Sequence, residues 1–252
     1  MCTIAFLVGV IAEAPLVLAA NRDELYERPT RPPERLGENV AGGVDVLSGG
    51  TWLAVRADGR FAAVTNQRAL ATPPAGLRSR GLAVKELALV DDPDAYVREL
   101  DPTRYASMNL AWGDARGVSL AYLRNEGAKE ILRLPPGVHV LCNDKLGAPG
   151  FPRCERLESE CRGVIGRSLD DALGALATAL GDDRRVPLAD VPASELPIEI
   201  AHAMTATCIH TSRYGTRSGT LFAANESRAL AYRHADGPPD RTAFVDRMEL
   251  LA

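Results

Sequence analysis

The apolar pattern starts at the second residue and runs from Thr3 to Ala20, interrupted only by Gly9, Glu13 and Pro15. Small residues and a proline at its centre split it into two strands, over 4–10 and 16–20, with a turn at 12–15. An antiparallel return brings the end of the second strand back beside the start of the first. The polar run Asn21-Arg22-Asp23-Glu24 is therefore expected next to Cys2. Residues 28–33 carry three prolines, which forbid a helix interior or a central strand, so a loop bordering that place is expected. Strands over 51–55 and 61–65 flank the turn pair Asp58-Gly59 and leave Asn66 at a strand end.

Helical spacing over 78–100, broken at Asp92-Pro93, predicts two short helices. Four further strands follow over 108–113, 118–123, 130–134 and 138–142, the last ending at Asn143-Asp144. Helices are predicted over 151–165 and 169–180, the second capped by Ser168 with Asp170 and Asp171 in its first turn. Residues 182–197 read as an irregular excursion, and late strands are expected over 205–210, 220–224, 229–233 and 244–250. Many strands with helices in two blocks give an α+β class, with sheets covered by helical layers in a single domain over 1–252.

Composition narrows the function. A net charge of −4 lacks the concentrated basic face that nucleic-acid binding needs, so no nucleic-acid partner is expected. The first apolar run has no positive leader and is broken by Glu13 and Pro15, which argues against a secretory signal or a membrane span. Five irregularly spaced cysteines do not make a disulfide framework, and a reducing, cytoplasmic setting is expected, with Cys142, Cys154 and Cys161 as buried small hydrophobes. His139 with those three lacks a compact zinc spacing, and no metal ion or cofactor is expected.

The chemistry centres on Cys2. Loss of Met1 would place a thiol and a free α-amine on one residue, two groups that titrate near pH ~8.5 and ~8. That is a nucleophile with its own base. With the strand ends converging, Cys2 attacks a carbonyl, its amine moves the proton, and Asp23 orients the amine. Asn66 and Asn143 donate amide N–H groups to the oxyanion. Arg217 steadies the thiolate and the developing charge, and Asn21 and Arg22 face the substrate. Each residue also has a plainer role: turn residues for Asn21 and Asn143, a cap for Asp23, a surface charge for Arg217.

Cys2, Ala19-Ala20-Asn21-Arg22-Asp23-Glu24, Gly49-Gly50-Thr51-Trp52-Leu53, Thr65-Asn66, Leu141-Cys142-Asn143 and Tyr214-Gly215-Thr216-Arg217 together resemble the NRDE, or transport and Golgi organisation 2-like, family across most of the chain. The resemblance implies an N-terminal nucleophile (Ntn) hydrolase fold, an αββα four-layer sandwich with two stacked, mainly antiparallel sheets. More remotely the chain is similar to choloylglycine hydrolases and penicillin V acylases. That likeness implies cleavage of a small-molecule amide, with the nucleophile at Cys2, the orienting acid at Asp23, oxyanion and substrate contacts at Asn66 and Asn143, and a supporting arginine at Arg217. One departure stands out: the acylases carry an arginine at the place of Ala20, whereas here the arginine follows Asn21 as Arg22. The family's link to haem mobilisation and lipid metabolism implies an alternative, a non-catalytic carrier for haem or a lipid-like ligand, with His210 and Cys2 as candidate haem ligands.

Overall fold

The computed structural model describes residues 2–68 and 74–252. Its strands are β1 (Cys2–Val8), β2 (Leu16–Leu25), β3 (Thr30–Gly37), β4 (Val40–Asp45), β5 (Leu53–Arg56), β6 (Phe61–Asn66), β7 (Met108–Asp114), β8 (Gly117–Leu123), β9 (Lys129–Arg133), β10 (Gly137–Leu141), β11 (Tyr214–Ala224), β12 (Ala229–Ala235) and β13 (Val245–Asp246). Its α-helices are α1 (Arg80–Leu89), α2 (Pro93–Glu99), α3 (Pro152–Arg162), α4 (Leu169–Leu180) and α5 (Ile198–Ala203). The strands form two antiparallel sheets, ordered β10-β1-β2-β11-β12-β13 and β3-β4-β5-β6-β7-β8-β9.

Three apolar clusters stack these layers. Ile4, Phe6, Leu18, Val55, Phe61 and Leu120 fill the space between the sheets. Ala5, Leu7, Val17, Val140, Leu157 and Leu176 pack the first sheet under α3 and α4, and Val40, Ala62, Val64, Val84 and Leu87 pack the second under α1. The result is a four-layer αββα sandwich. Because β1 and the first half of β2 are covered on both faces, consecutive residues over 2–8 and 16–20 are all buried, which is why their sequence is a nearly continuous apolar run without alternation.

Several expectations need correction. Residues 30–37 form a strand in spite of Pro32 and Pro33, because β3 is a sheet edge, where a missing N–H costs no ladder bond. Residues 205–210 are not a strand: Cys208 N–H donates to Asp182 O and Ile209 N–H to Thr216 Oγ1, leaving a single bridge between His210 and Gly215. The last predicted strand shrinks to Val245–Asp246, followed by a 3-10 turn at Met248–Leu251. Cys142 and Cys154, expected as free thiols, form a disulfide, whereas Cys161 is a buried free thiol.

Candidate active site

The open end of the β1–β2 hairpin sets the site. Cys2 pairs in register with Arg22, and Thr3 with Asn21. Directly opposed residues share a face of the sheet and neighbours in sequence alternate. Cys2 and Arg22 thus look towards the second sheet, and Asn21 looks towards the helices. Cys2, Arg22, Asp23 and Asn66 all line one pocket of about 500 Å3, together with Trp52, Arg80 and Gly81.

The loop before β5 and the start of α1 form the far wall. A Cβ on Gly50 would collide with the backbone of Gly81, so only glycine lets the loop meet the helix there. Thr51 N–H then donates to Gly81 O at 3.0 Å. The Trp52 indole lies against Gly43, where a Cβ would overlap the ring, and it presents the ring to the Arg22 guanidinium, 4.4 Å from the ring centroid. A guanidinium stacked on an indole in this way is held without using its N–H donors.

Asp23 is held from behind. Its Oδ1 accepts a hydrogen bond from Thr216 Oγ1 at 2.7 Å, and Thr216 Oγ1 accepts in turn from Ile209 N–H at 2.8 Å. Burial raises the Asp23 pKa, while the nearby Arg153 and the Thr216 hydrogen bond oppose that rise. Burial also raises the pKa of the Cys2 thiol, with the Arg22 guanidinium among the charges that oppose it.

Asn66 and Asn143 come together, but in unequal states. Asn143 is buried, its Nδ2 donates to Asn66 O at 3.0 Å, and its Oδ1 accepts from Arg153 NH2 at 2.7 Å. Its side chain therefore fixes the end of β6 and the start of α3. Asn66, by contrast, is one of the residues that line the pocket. Arg217 sits at a break in register between β2 and β11, and its guanidinium donates to the carbonyls of Leu25, Tyr26 and Arg28 at 3.0, 2.9 and 3.2 Å. It secures the turn after β2. Asn21 donates from Nδ2 to Leu180 O at 2.8 Å and Thr207 O at 3.0 Å, which ties the helical layer to the sheet.

Arg153, Thr216 and Arg80 belong to this site and were not singled out from the sequence. Arg153 had a signal: it precedes Leu157 and Cys161 by four and eight residues, which puts it on the buried face of α3. The adjacent Cys154 is bonded to Cys142, the neighbour of Asn143, so the disulfide pins the two segments that carry the Asn143–Arg153 hydrogen bond.

Over residues 1–234 the chain matches the family described as Transport and Golgi organisation 2. The chain belongs to that family. It is 33% identical over 225 residues to the Transport and Golgi organization protein 2 homolog of Bos taurus, covering 82% of this chain and 80% of that one. It is 29% identical over 229 residues to the human homolog, with the same coverage. Among solved structures, penicillin V acylase from Agrobacterium tumefaciens matches with a TM-score of 0.60 at 12% identity, covering 100% of this chain and 88% of that one. A conjugated bile acid hydrolase from Clostridium perfringens matches with a TM-score of 0.55 at 11% identity, covering 99% and 93%. These likenesses establish the Ntn-hydrolase fold for this family member.

Elsewhere, the four residues weighed as a zinc set do not converge: His139 Nε2 lies 2.8 Å from Pro135 O, and two of the cysteines are in the disulfide. Cys208, His210 and Asp240 do cluster, with the Cys208 thiol donating to Asp240 Oδ1 at 3.3 Å and His210 Nε2 3.1 Å from Asp240 Oδ2. The Arg241 guanidinium lies 3.0 Å from His210 Nδ1 and repels a cation there. His210 is not among the residues that line the Cys2 pocket. No helix among the described residues is long and apolar enough to cross a membrane.

Proposed function

We propose that this protein is an Ntn-type amidohydrolase that cleaves a C–N amide bond through an acyl-thioester on Cys2. The observation that carries the reading is the placing of Cys2 at the start of a central strand, with Arg22 across from it and Asp23 and Asn66 lining the same pocket. Cys2 gains its α-amine when Met1 is removed. The thiol proton passes to that amine as sulfur attacks the carbonyl carbon, and the Asn66 amide faces the oxyanion. The proton then goes to the leaving nitrogen, the C–N bond breaks, and an amine departs. Water, deprotonated by the same α-amine, attacks the thioester and releases the carboxylic acid with the free thiol. Asp23, held by Thr216, keeps the amine in position.

The carrier reading for haem or a lipid fits less well, because charged and polar residues make up most of the described lining, and among the described residues the larger apolar ones there are Trp52, Val64, Pro74 and Leu77. The test is intact-mass analysis before and after treatment with iodoacetamide, followed by turnover of a simple acyl amide. Loss of Met1, selective labelling at Cys2 and abolition of turnover in Cys2→Ala are expected. Turnover that survives in Cys2→Ala sinks the proposal.

A further inference from the structure

The pocket contains more cationic donor capacity than its own acids use. Arg28 is paired with Asp45, its NH2 2.6 Å from Oδ2, and Arg78 is paired with Glu86 and bonded to Tyr105. Arg22 and Arg80 remain. Arg22 is only 4% exposed, its NH1 is buried without a hydrogen-bond partner among the described residues, and the acid within ion-pair distance of it is Glu24, 3.9 Å from NH2, with Asp45 and Asp23 acting on it from farther away. Arg80 makes one weak hydrogen bond, from NH1 to Ser107 O at 3.3 Å, and no ion pair among the described residues.

Arg80 also opens α1, a ten-residue helix with no acidic residue in its first turn. Ser79, Arg80 and Gly81 line the pocket, so the positive end of the helix dipole faces it as well. Burial lowers the pKa of both guanidinium groups, the cost of holding desolvated cations that have no full counter-charge. Asp23 is engaged by Thr216, and Glu24 is shared between Arg22 and Arg28.

We infer that the Cys2 pocket takes an amide carrying a carboxylate or phosphate group, held between Arg22 and Arg80 at the amino-terminal end of α1. The inference rests on the pocket being the amidase site. The two guanidinium groups provide charge-assisted donors of the kind that bind either oxyanion, and the helix end, whose Gly81 and Leu82 N–H groups already donate to Ser79, adds its dipole. The remainder of the cavity is left for the acyl chain and the scissile bond. This assigns to Arg80 a binding role and to Arg22 a second role beyond its proximity to the thiol.

The test uses the full-chain Cys2→Ala protein, in which turnover does not intervene, titrated calorimetrically with N-octanoylglycine, N-octanoyl-O-phosphoethanolamine and the uncharged N-octanoylethanolamine. One or both anionic amides should bind about tenfold more tightly than the neutral one. The arm that gains identifies carboxylate or phosphate as the group recognised. The advantage should fall to about threefold or less when Arg80→Gln is added, or when salt is raised to roughly 0.5 M with the arginines intact. Equal affinity for all three ligands, no binding of any of them, or an advantage that survives both Arg80→Gln and Arg22→Gln overturns the inference. The two readings fail separately. Tight anionic binding to a wild-type enzyme that releases no octanoate would end the hydrolase reading and leave the anion subsite in place. Release of octanoate as fast from the neutral amide as from the anionic ones would do the reverse.

Discussion

The supporting residues behind the Cys2 pocket, its rear wall, do not line the cavity, and they differ from the residues that do, its front wall, in what their polar atoms are used for. On the rear wall Asn21 bonds Leu180 and Thr207, Thr216 bonds Asp23, Asn143 bonds Asn66 and Arg153, and Arg217 bonds three carbonyls. On the front wall Asn66, Arg22 NH1 and Arg80 hold side-chain donors that are left largely unused among the described residues. A donor already bonded inside the fold is a positioning device, because breaking its bond costs stability. An unspent donor facing a cavity costs desolvation in the empty protein and recovers it when a ligand arrives. Rear-wall substitutions should therefore read out mainly in stability, and front-wall substitutions mainly in binding and rate.

The largest separation is expected at Asn66. Asn66→Ala should lower kcat on a turned-over amide by about a hundredfold to a thousandfold, the ~3–4 kcal/mol that one oxyanion donor supplies. Its stability should change by under ~1 kcal/mol, since only its backbone carbonyl is bonded to Asn143 and the substitution keeps that group. Steady-state kinetics and urea melts of the same preparation check both halves. A stability loss without a rate loss would move Asn66 to the rear wall.

Arg153 should behave in the opposite sense. Arg153→Met leaves Asn143 Oδ1 without its Arg153 donor in the interior and removes the bond to Met204 O, at a cost of about 3 kcal/mol in unfolding free energy, read as a lowered chemical-denaturation midpoint. It also removes a positive charge that holds the Asp23 pKa down, so some rate is lost through Asp23. An unchanged denaturation midpoint would show that the buried guanidinium is not a structural tie.

Much of this division was open to a close reading of the chain, and part of it was not. The N-terminal hairpin was legible because both of its faces are buried, and the two helical blocks because spacing and the Ser168 cap agreed. Strand alternation by itself separates Asn21 from Arg22 and could have sent Asn21 to the helical face. The spacing of Arg153 with Leu157 and Cys161 marked it as buried, yet nothing local says which buried acceptor it meets, ten residues back at Asn143. The edge strand through Pro32 and Pro33 was missed because proline excludes a central strand, and sheet order is not written in one segment. The Cys142–Cys154 bond was hidden for a related reason. Its two halves end a strand and begin a helix, and their closeness is a tertiary fact.

The finest test of the two walls compares their arginines. Burial raises the Cys2 thiol above its ordinary range, so the protein keeps it protonated at neutral pH and alkylation should accelerate as pH climbs past the pKa of a free thiol. Arg22 opposes that rise by stabilising the thiolate. Arg22→Gln removes the positive charge, disfavours the thiolate further, and should move the midpoint of the pH–rate profile to higher pH. Arg217→Gln removes a guanidinium committed to the carbonyls of Leu25, Tyr26 and Arg28, so the midpoint should stay in place while the turn after β2 loosens. The measurement is the rate of iodoacetamide labelling at Cys2, followed by mass spectrometry across the alkaline range. A midpoint that moves in Arg217→Gln and stays fixed in Arg22→Gln would exchange the two assignments, making the arginine of the turn the one that tunes the nucleophile.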